Sequence, residues 1–247
     1  MAQETTTFGA AFAFSPGRVI SASFGVLGRN LVPFVIVTFI ISLPYLAIQT
    51  WLDYALAHAE PGSSLSGANF AIILVQSITF GLVQAALTYG TVQDLRGEHA
   101  GIGDCFRGGL ARSGNIVSGA MQYGLLLGLA TLLLIIPGII LYLRWWVFIP
   151  AMVIEKLETK ASFERSKSLT AGRRWAILGL SAVIFVVEMA VLFGVIWIAP
   201  GLAADIAVTL LGVLFTTFTS VVAAVGYYHL RAEKEGVIVE DIAKVFD

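Results

Sequence analysis

The chain has 247 residues, 57% of them hydrophobic and 13% charged, with a formal net charge of −1 and a mean hydropathy of +0.87. Soluble domains carry charge on about a quarter of their residues, so too few polar side chains exist here to cover one apolar core, and the chain reads as a single all-α membrane domain. The balanced charge excludes a nucleic-acid surface, the single cysteine, Cys105, excludes an intramolecular disulfide, and the absence of Lys or Arg before Arg18 predicts no cleaved signal.

Residues 1–30 read as an N-terminal segment ending in a short interfacial helix. Ser15-Pro16 is a good N-cap and first-turn pair, and Val19, Ile20, Phe24 and Leu27 share one helical face. The membrane domain follows over 31–230. Crossing a hydrocarbon core of roughly 30 Å takes about 20 helical residues, because lipid offers no partner to backbone N–H and C=O groups. Leu31 to Trp51, Asn69 to Val92, Ile116 to Ile136, Trp175 to Ile198 and Asp205 to His229 meet that requirement, and residues 231–247 form a charged tail.

The stretch 137–154 is apolar except for Arg144. Pro137-Gly138 at its start reads either as a kink in one long helix or as a tight turn between two. Charge decides between them. With a turn at Pro137-Gly138 and a short span over 138–154, fourteen of the fifteen basic residues, all but Arg144, fall on one face, as expected when positive loops stay in the cytoplasm. A single crossing over 116–154 would export the six basic residues between Lys156 and Arg174. The expectation is therefore about six spans with both termini cytoplasmic, a re-entrant course for 137–154 being the alternative. Trp51, Trp175 and Trp197 fall at span ends, where indoles anchor; Trp145 and Trp146 do not.

The segments ahead of the odd-numbered spans are alike: Phe24-Gly-Val-Leu-Gly-Arg-Asn30, Phe106-Arg-Gly-Gly-Leu-Ala-Arg-Ser-Gly-Asn115 and Phe163-Glu-Arg-Ser-Lys-Ser-Leu-Thr-Ala-Gly-Arg-Arg174. In the second, Ile102, Phe106 and Leu110 recur every four residues. Short amphipathic helices in the headgroup region are expected here, giving three helical hairpins, each introduced by an interfacial helix. True repetition and chance similarity both account for the likeness.

Arg144 and Glu188 are ionisable side chains inside expected spans. At about 1.5 Å per residue they lie roughly 10 Å and 15 Å from the outer ends. An ion pair between spans four and five is expected, fixing helix register rather than moving a substrate, with outward snorkelling of Arg144 as the alternative. Glu155, at the inner end of span four, is expected to meet Arg165, Arg173 or Arg231 in a cytoplasmic cluster, or to share a solvated group of charges with them. Gln76, Gln84, Gln122, Thr216, Thr217, Thr219 and Ser220 suit interhelical hydrogen bonds. Gly124 with Gly128, and Gly81 with Ala85, predict close helix contacts that spacing alone assigns neither to internal packing nor to oligomerisation.

Catalytic constellations are missing. His58 falls on the outer side and His99 and His229 on the inner, and the chain holds no H-E-x-x-H, Walker loop, G-x-S-x-G or spaced Cys and His set. No enzyme activity, metal or cofactor is expected.

Ile135-Ile-Pro-Gly-Ile-Ile-Leu-Tyr-Leu-Arg-Trp-Trp-Val-Phe-Ile-Pro-Ala-Met-Val-Ile-Glu155, the segment Ala161 to Arg174, and Tyr227-Tyr-His-Leu-Arg-Ala-Glu-Lys-Glu-Gly236 together resemble a bacterial family. It is the membrane domain attached to some glycerophosphodiester phosphodiesterases, with its stand-alone inner-membrane relatives. The likeness is specific at 135–174 and 227–236, through Pro137, Gly138, Arg144, Pro150, Glu155, Arg165, Ser166, Gly172, Tyr228, Arg231, Glu235 and Gly236. It implies a helical module of about six spans in a bacterial inner membrane. It does not imply phosphodiesterase activity, which in the fused proteins belongs to a separate soluble barrel. The expected function is a non-enzymatic membrane module that organises lipid, anionic headgroups included, or associates with another membrane protein or with itself. A small-solute or lipid transporter using the Pro137 break and the Arg144 and Glu188 charges is the alternative.

Overall fold

The computed structural model describes residues 14–58, 66–198 and 201–236. The expected N-terminal stretch before residue 14 and the charged tail beyond residue 236 lie outside the described residues. Those residues form nine helices and no strand: α1 (Pro16–Ala57), α2 (Ser66–Leu95), α3 (Ile102–Gly109), α4 (Ser113–Leu133), α5 (Ile135–Arg144), α6 (Phe148–Ile154), α7 (Thr159–Thr170), α8 (Arg174–Ile198) and α9 (Leu202–Glu235). Six stretches are long and apolar enough to cross a membrane: Pro16–Leu56, Ala71–Leu95, Ser113–Leu133, Ile135–Ile154, Arg174–Ile198 and Leu202–Glu235. The protein is an all-α polytopic membrane protein.

Helices α1, α2 and α9 pack on one another as the centre of the bundle. Helix α4 lies on the far side of α2, α5 and α6 run back along α4, and α8 leans on α9 from outside. Three hairpins result, α1 with α2, α4 with α5–α6, and α8 with α9. Each is preceded by a short helix, the first being the start of α1 up to a non-helical residue, Asn30 (φ −126°, ψ 21°). Pro33 falls in the first turn beyond that kink, where a missing N–H leaves no helical bond unmade. Pro16 occupies the first turn of α1 after Ser15, as expected, although the Ser15 side chain makes no capping bond.

The short helices lie against protein. In α1, Val19, Ser23 and Leu27 are buried while Phe24 is 60% exposed, so the buried face is turned away from Phe24. In α3 the buried residues are Cys105 and Gly109 rather than Ile102. A methyl group on Gly109 would fall 2.3 Å from the Ala86 Cα, and one on Gly90 would fall 2.7 Å from the Cys105 sulfur. Glycine at both positions is what lets α3 press onto α2. Burial and the neighbouring Asp104 push the Cys105 thiol up to about 11, so it stays a small apolar group.

The chain returns across the bundle after α4, since Ser118 Oγ at the start of α4 lies 2.9 Å from Thr159 Oγ1 at the start of α7. The turn is not at Pro137-Gly138. It is the extended residue Leu134 (φ −160°, ψ 136°), and Pro137 and Gly138 lie within the first turns of α5. Proline is tolerated there because the first N–H groups of a helix need no partner. Gly138 serves the hairpin differently: a Cβ on it would meet Thr131 Oγ1 at 2.3 Å. The tip consists of Leu132, Leu133, Leu134, Ile135 and Ile136, all exposed, a surface suited to lipid rather than water.

Candidate functional site

The fourth span breaks at Trp145–Val147, between α5 and α6, a feature the sequence reading did not anticipate. A break at that depth leaves backbone groups without helical partners, and lipid cannot supply them. Helix α7 does. Ser166 Oγ accepts a hydrogen bond from the Val147 N–H (3.2 Å) and donates one to the Arg144 carbonyl (3.0 Å), and Thr170 Oγ1 also points at that carbonyl (3.4 Å). The two tryptophans at the break are packed inside the protein, which is why they are not at a membrane boundary. Trp146 fills the space opposite Gly226, where a Cβ would fall 2.4 Å from its ring, and meets Phe14 edge-on. Trp145 stands among Tyr123 and Phe163.

Charged side chains gather at one end of the bundle, here termed the basic end. Each hairpin is tied there by an arginine that lies just before the first span and reaches the end of the second. In the first hairpin Arg29 Nη2 donates to Asp94 Oδ2 at 2.5 Å and Asn30 Nδ2 to Asp94 Oδ1 at 2.6 Å, with Asp94 almost fully buried. In the third, Arg173 clasps Glu233 through Nε (2.8 Å) and Nη2, and Glu233 also accepts from the Phe14 N–H at 2.8 Å. The hydrogen bonds that Arg173 donates to Glu233 hold the pKa of its guanidinium above the ordinary value. In the middle hairpin Arg112 donates to the backbone carbonyl of Lys156 instead of to a carboxylate.

A further network joins the second hairpin to the third. Arg165 Nε bonds both oxygens of Glu155 (2.7 and 2.8 Å), its Nη2 bonds Glu235, Arg231 Nε donates to Glu235 at 2.9 Å, and the Tyr227 hydroxyl donates to Glu155. Of the expected cluster, Glu155, Arg165 and Arg231 are thus brought together. Arg173 is not among them, because the turn at Gly172 (φ 85°) directs it to Glu233. Sequence reasoning gave no role to Asp94, Glu233 or Tyr227.

The expected ion pair between Arg144 and Glu188 does not form. Their depths match but their azimuths do not. Tyr142 and Trp146 line a cavity of about 150 Å³ together with Glu188, whereas Arg144, two residues on from Tyr142 in α5, points about 200° round that helix from it. Tyr142 instead ties α5 to α8 by donating to Ser181 Oγ at 3.1 Å.

Glu188 also lines a cleft of about 270 Å³ between α1, α2, α8 and α9, whose other polar walls are Ser42, Tyr45, Gln76, Thr79, Thr209 and Thr216. It lies ten residues before Ile198, about 15 Å from that end of α8 by helical rise. Among the described residues it makes no ion pair or hydrogen bond. A single carboxyl group, half-buried at membrane depth, therefore joins two cavities. Gln76 and Thr216 were visible in the sequence as in-membrane polar residues; that they face one cleft was not. Thr217 serves packing, donating to Thr38 Oγ1 at 2.9 Å between α9 and α1.

Of the two glycines proposed for helix packing, Gly124 has Ser77 within 2.2 Å of where its Cβ would stand, and Gly128 has nothing within 4 Å. Gly81 likewise abuts Ala120. These small residues bring α4 against α2 inside one chain. No group of three or more His, Cys, Asp and Glu side chains placed to hold a metal occurs among the described residues. No protein-family model matches the chain, and neither a curated protein nor a solved structure is significantly similar to it.

Proposed function

We propose that this protein is a non-enzymatic membrane module that organises lipid, holding the polar part of an amphiphile in the cleft beside Glu188. The observation that carries this reading is the cleft itself: seven polar side chains from four helices converge at membrane depth on about 270 Å³ of space, and none of them is a cation. An ionised carboxylate there costs several kcal/mol unless paired or hydrated, so Glu188 is suited either to a proton of its own or to a guest bearing a hydroxyl or ammonium group. The bias of basic residues to one end supports a cytoplasmic location for that end and for both termini, and the likeness to the bacterial phosphodiesterase membrane domain supports a bacterial inner membrane.

Gentle extraction followed by native mass spectrometry tests the reading. The wild-type protein is expected to carry an amphiphile at one copy per chain, retained about tenfold less by Glu188→Gln, the loss of one charged hydrogen bond. A protein that emerges without bound amphiphile but with a stoichiometric membrane partner or second copy would overturn it in favour of a docking role. The second reading, transport of a small solute or lipid, draws on one observation: the carboxyl group that lines the cleft also lines the cavity against the broken fourth span. Flux in proteoliposomes that Glu188→Gln abolishes would favour it.

A further inference from the structure

We infer that the cleft beside Glu188 takes a neutral glycerolipid, one whose polar part is a free hydroxyl with ester carbonyls and which carries no phosphate. This deepens the proposed function and rests on it. Five of the seven polar side chains that line the cleft are hydroxyls, and the others are the Gln76 amide and the Glu188 carboxyl group. The second cavity that Glu188 borders repeats this chemistry, with hydroxyls from Tyr142, Ser181 and Thr219. Among the described residues no Lys, Arg or His lines either cavity.

A phosphate has no place in that setting. Glu188 lies fourteen residues past Arg174 and ten before Ile198, so by helical rise it is about 21 Å from the basic end of α8 and about 15 Å from the other. The phosphate of a phospholipid belongs to the headgroup region, outside a hydrocarbon core of roughly 30 Å. Drawn in to Glu188 it would meet a carboxyl group and no cation, whereas a hydroxyl makes the same descent uncharged. An ammonium group only donates hydrogen bonds; a hydroxyl donates and accepts, as do the hydroxyl and amide groups of the cleft. At about 270 Å³ the cleft is several times the roughly 30 Å³ that one water occupies in the liquid, so it holds more than a lone hydroxyl and leaves donors for ester carbonyls. Its wall is open at Gly212 of α9, where a Cβ would meet nothing within 4 Å. Glycine inside a helix costs stability relative to alanine, and no neighbouring side chain requires it here.

Native mass spectrometry of the full chain tests this, in mixed micelles holding equal amounts of dioleoylglycerol, dioleoyl phosphatidic acid and oleylamine, the first two differing only by hydroxyl against phosphate. The wild type should retain dioleoylglycerol about tenfold over either of the others. Gly212→Leu fills the open wall without touching a polar group. It should cut that retention about tenfold while the melting temperature is kept or raised, which separates loss of the site from loss of fold. Glu188→Gln should lower retention as well and narrow the preference over phosphatidic acid. Phosphatidic acid or oleylamine retained as well as dioleoylglycerol, with the same dependence on Glu188, would overturn the inference and leave the proposed function standing. Dioleoylglycerol retention indifferent to both variants would place the lipid elsewhere and overturn it too. A chain that retains no amphiphile would sink the proposed function along with it.

Discussion

Arg29 and Asp94, 65 residues apart, meet where the first hairpin closes, and the two sides of the contact are not equivalent. The Arg29 side chain is 57% exposed while that of Asp94 is 5% exposed and receives donors from both Arg29 and Asn30. An arginine set free at that position is hydrated, whereas an unpaired buried carboxylate is not, so the cost of breaking the pair depends on which partner goes.

Arg29→Ala is therefore expected to lower stability, because it leaves Asp94 with Asn30 alone, by about 1–3 kcal/mol. Asp94→Ala removes the buried charge and should cost less for electrostatics, but it releases Asn30 and the kink that Asn30 holds. The double variant should lose less than the sum of the singles. Thermal unfolding in detergent measures all three; additive losses would mean that the contact carries no coupling.

Ser166→Ala leaves the Val147 N–H without its partner and the Arg144 carbonyl with the longer bond from Thr170. Unsatisfied groups of this kind cost about 1–3 kcal/mol each when water is excluded. The variant should unfold at lower temperature, and Ser166→Ala with Thr170→Val at lower still. Hydrogen exchange at Val147 should rise in both. Unchanged protection there would show that α7 does not hold the break.

Gly124→Leu and Gly128→Leu separate internal packing from association. Gly124 faces Ser77 across a gap too small for a methyl group, and Gly128 faces open space. The first substitution should destabilise by at least about 1 kcal/mol, as overpacking does, and the second should be tolerated. If Gly128→Leu instead changed the oligomeric state seen by size-exclusion light scattering, Gly128 would belong to an interface between copies.

Much of this architecture was legible because lipid imposes it. Hydropathy gave five apolar stretches and the charge bias gave the sixth span with the return after α4, since a helix satisfies its own backbone in hydrocarbon and basic loops stay on one side. The details that failed are local. Pro137 was read as the turn because proline breaks helices, yet in a first turn it starts one, and the extended residue Leu134 carries no sequence mark. The break at Trp145–Val147 escaped because what permits it, Ser166 and Thr170, lies about twenty residues further along the chain. The Arg144 and Glu188 pairing failed because depth was counted and azimuth was not. The likeness among the three pre-span segments was visible, and the arginines in those segments are the ones that close the three hairpins.

The contact of Arg112 with Lys156 at the basic end requires the chain to turn back at Leu134. Cysteine reporters at Lys160 and His58, both exposed and at opposite ends of the bundle, test this directly, because the native Cys105 is fully buried with its thiol held at about 11 and should not react. With a membrane-impermeant maleimide on intact cells, His58→Cys should label at once and Lys160→Cys only after permeabilisation. Labelling of Lys160→Cys from outside the intact cell would contradict the return, and with it the closure of the middle hairpin by Arg112.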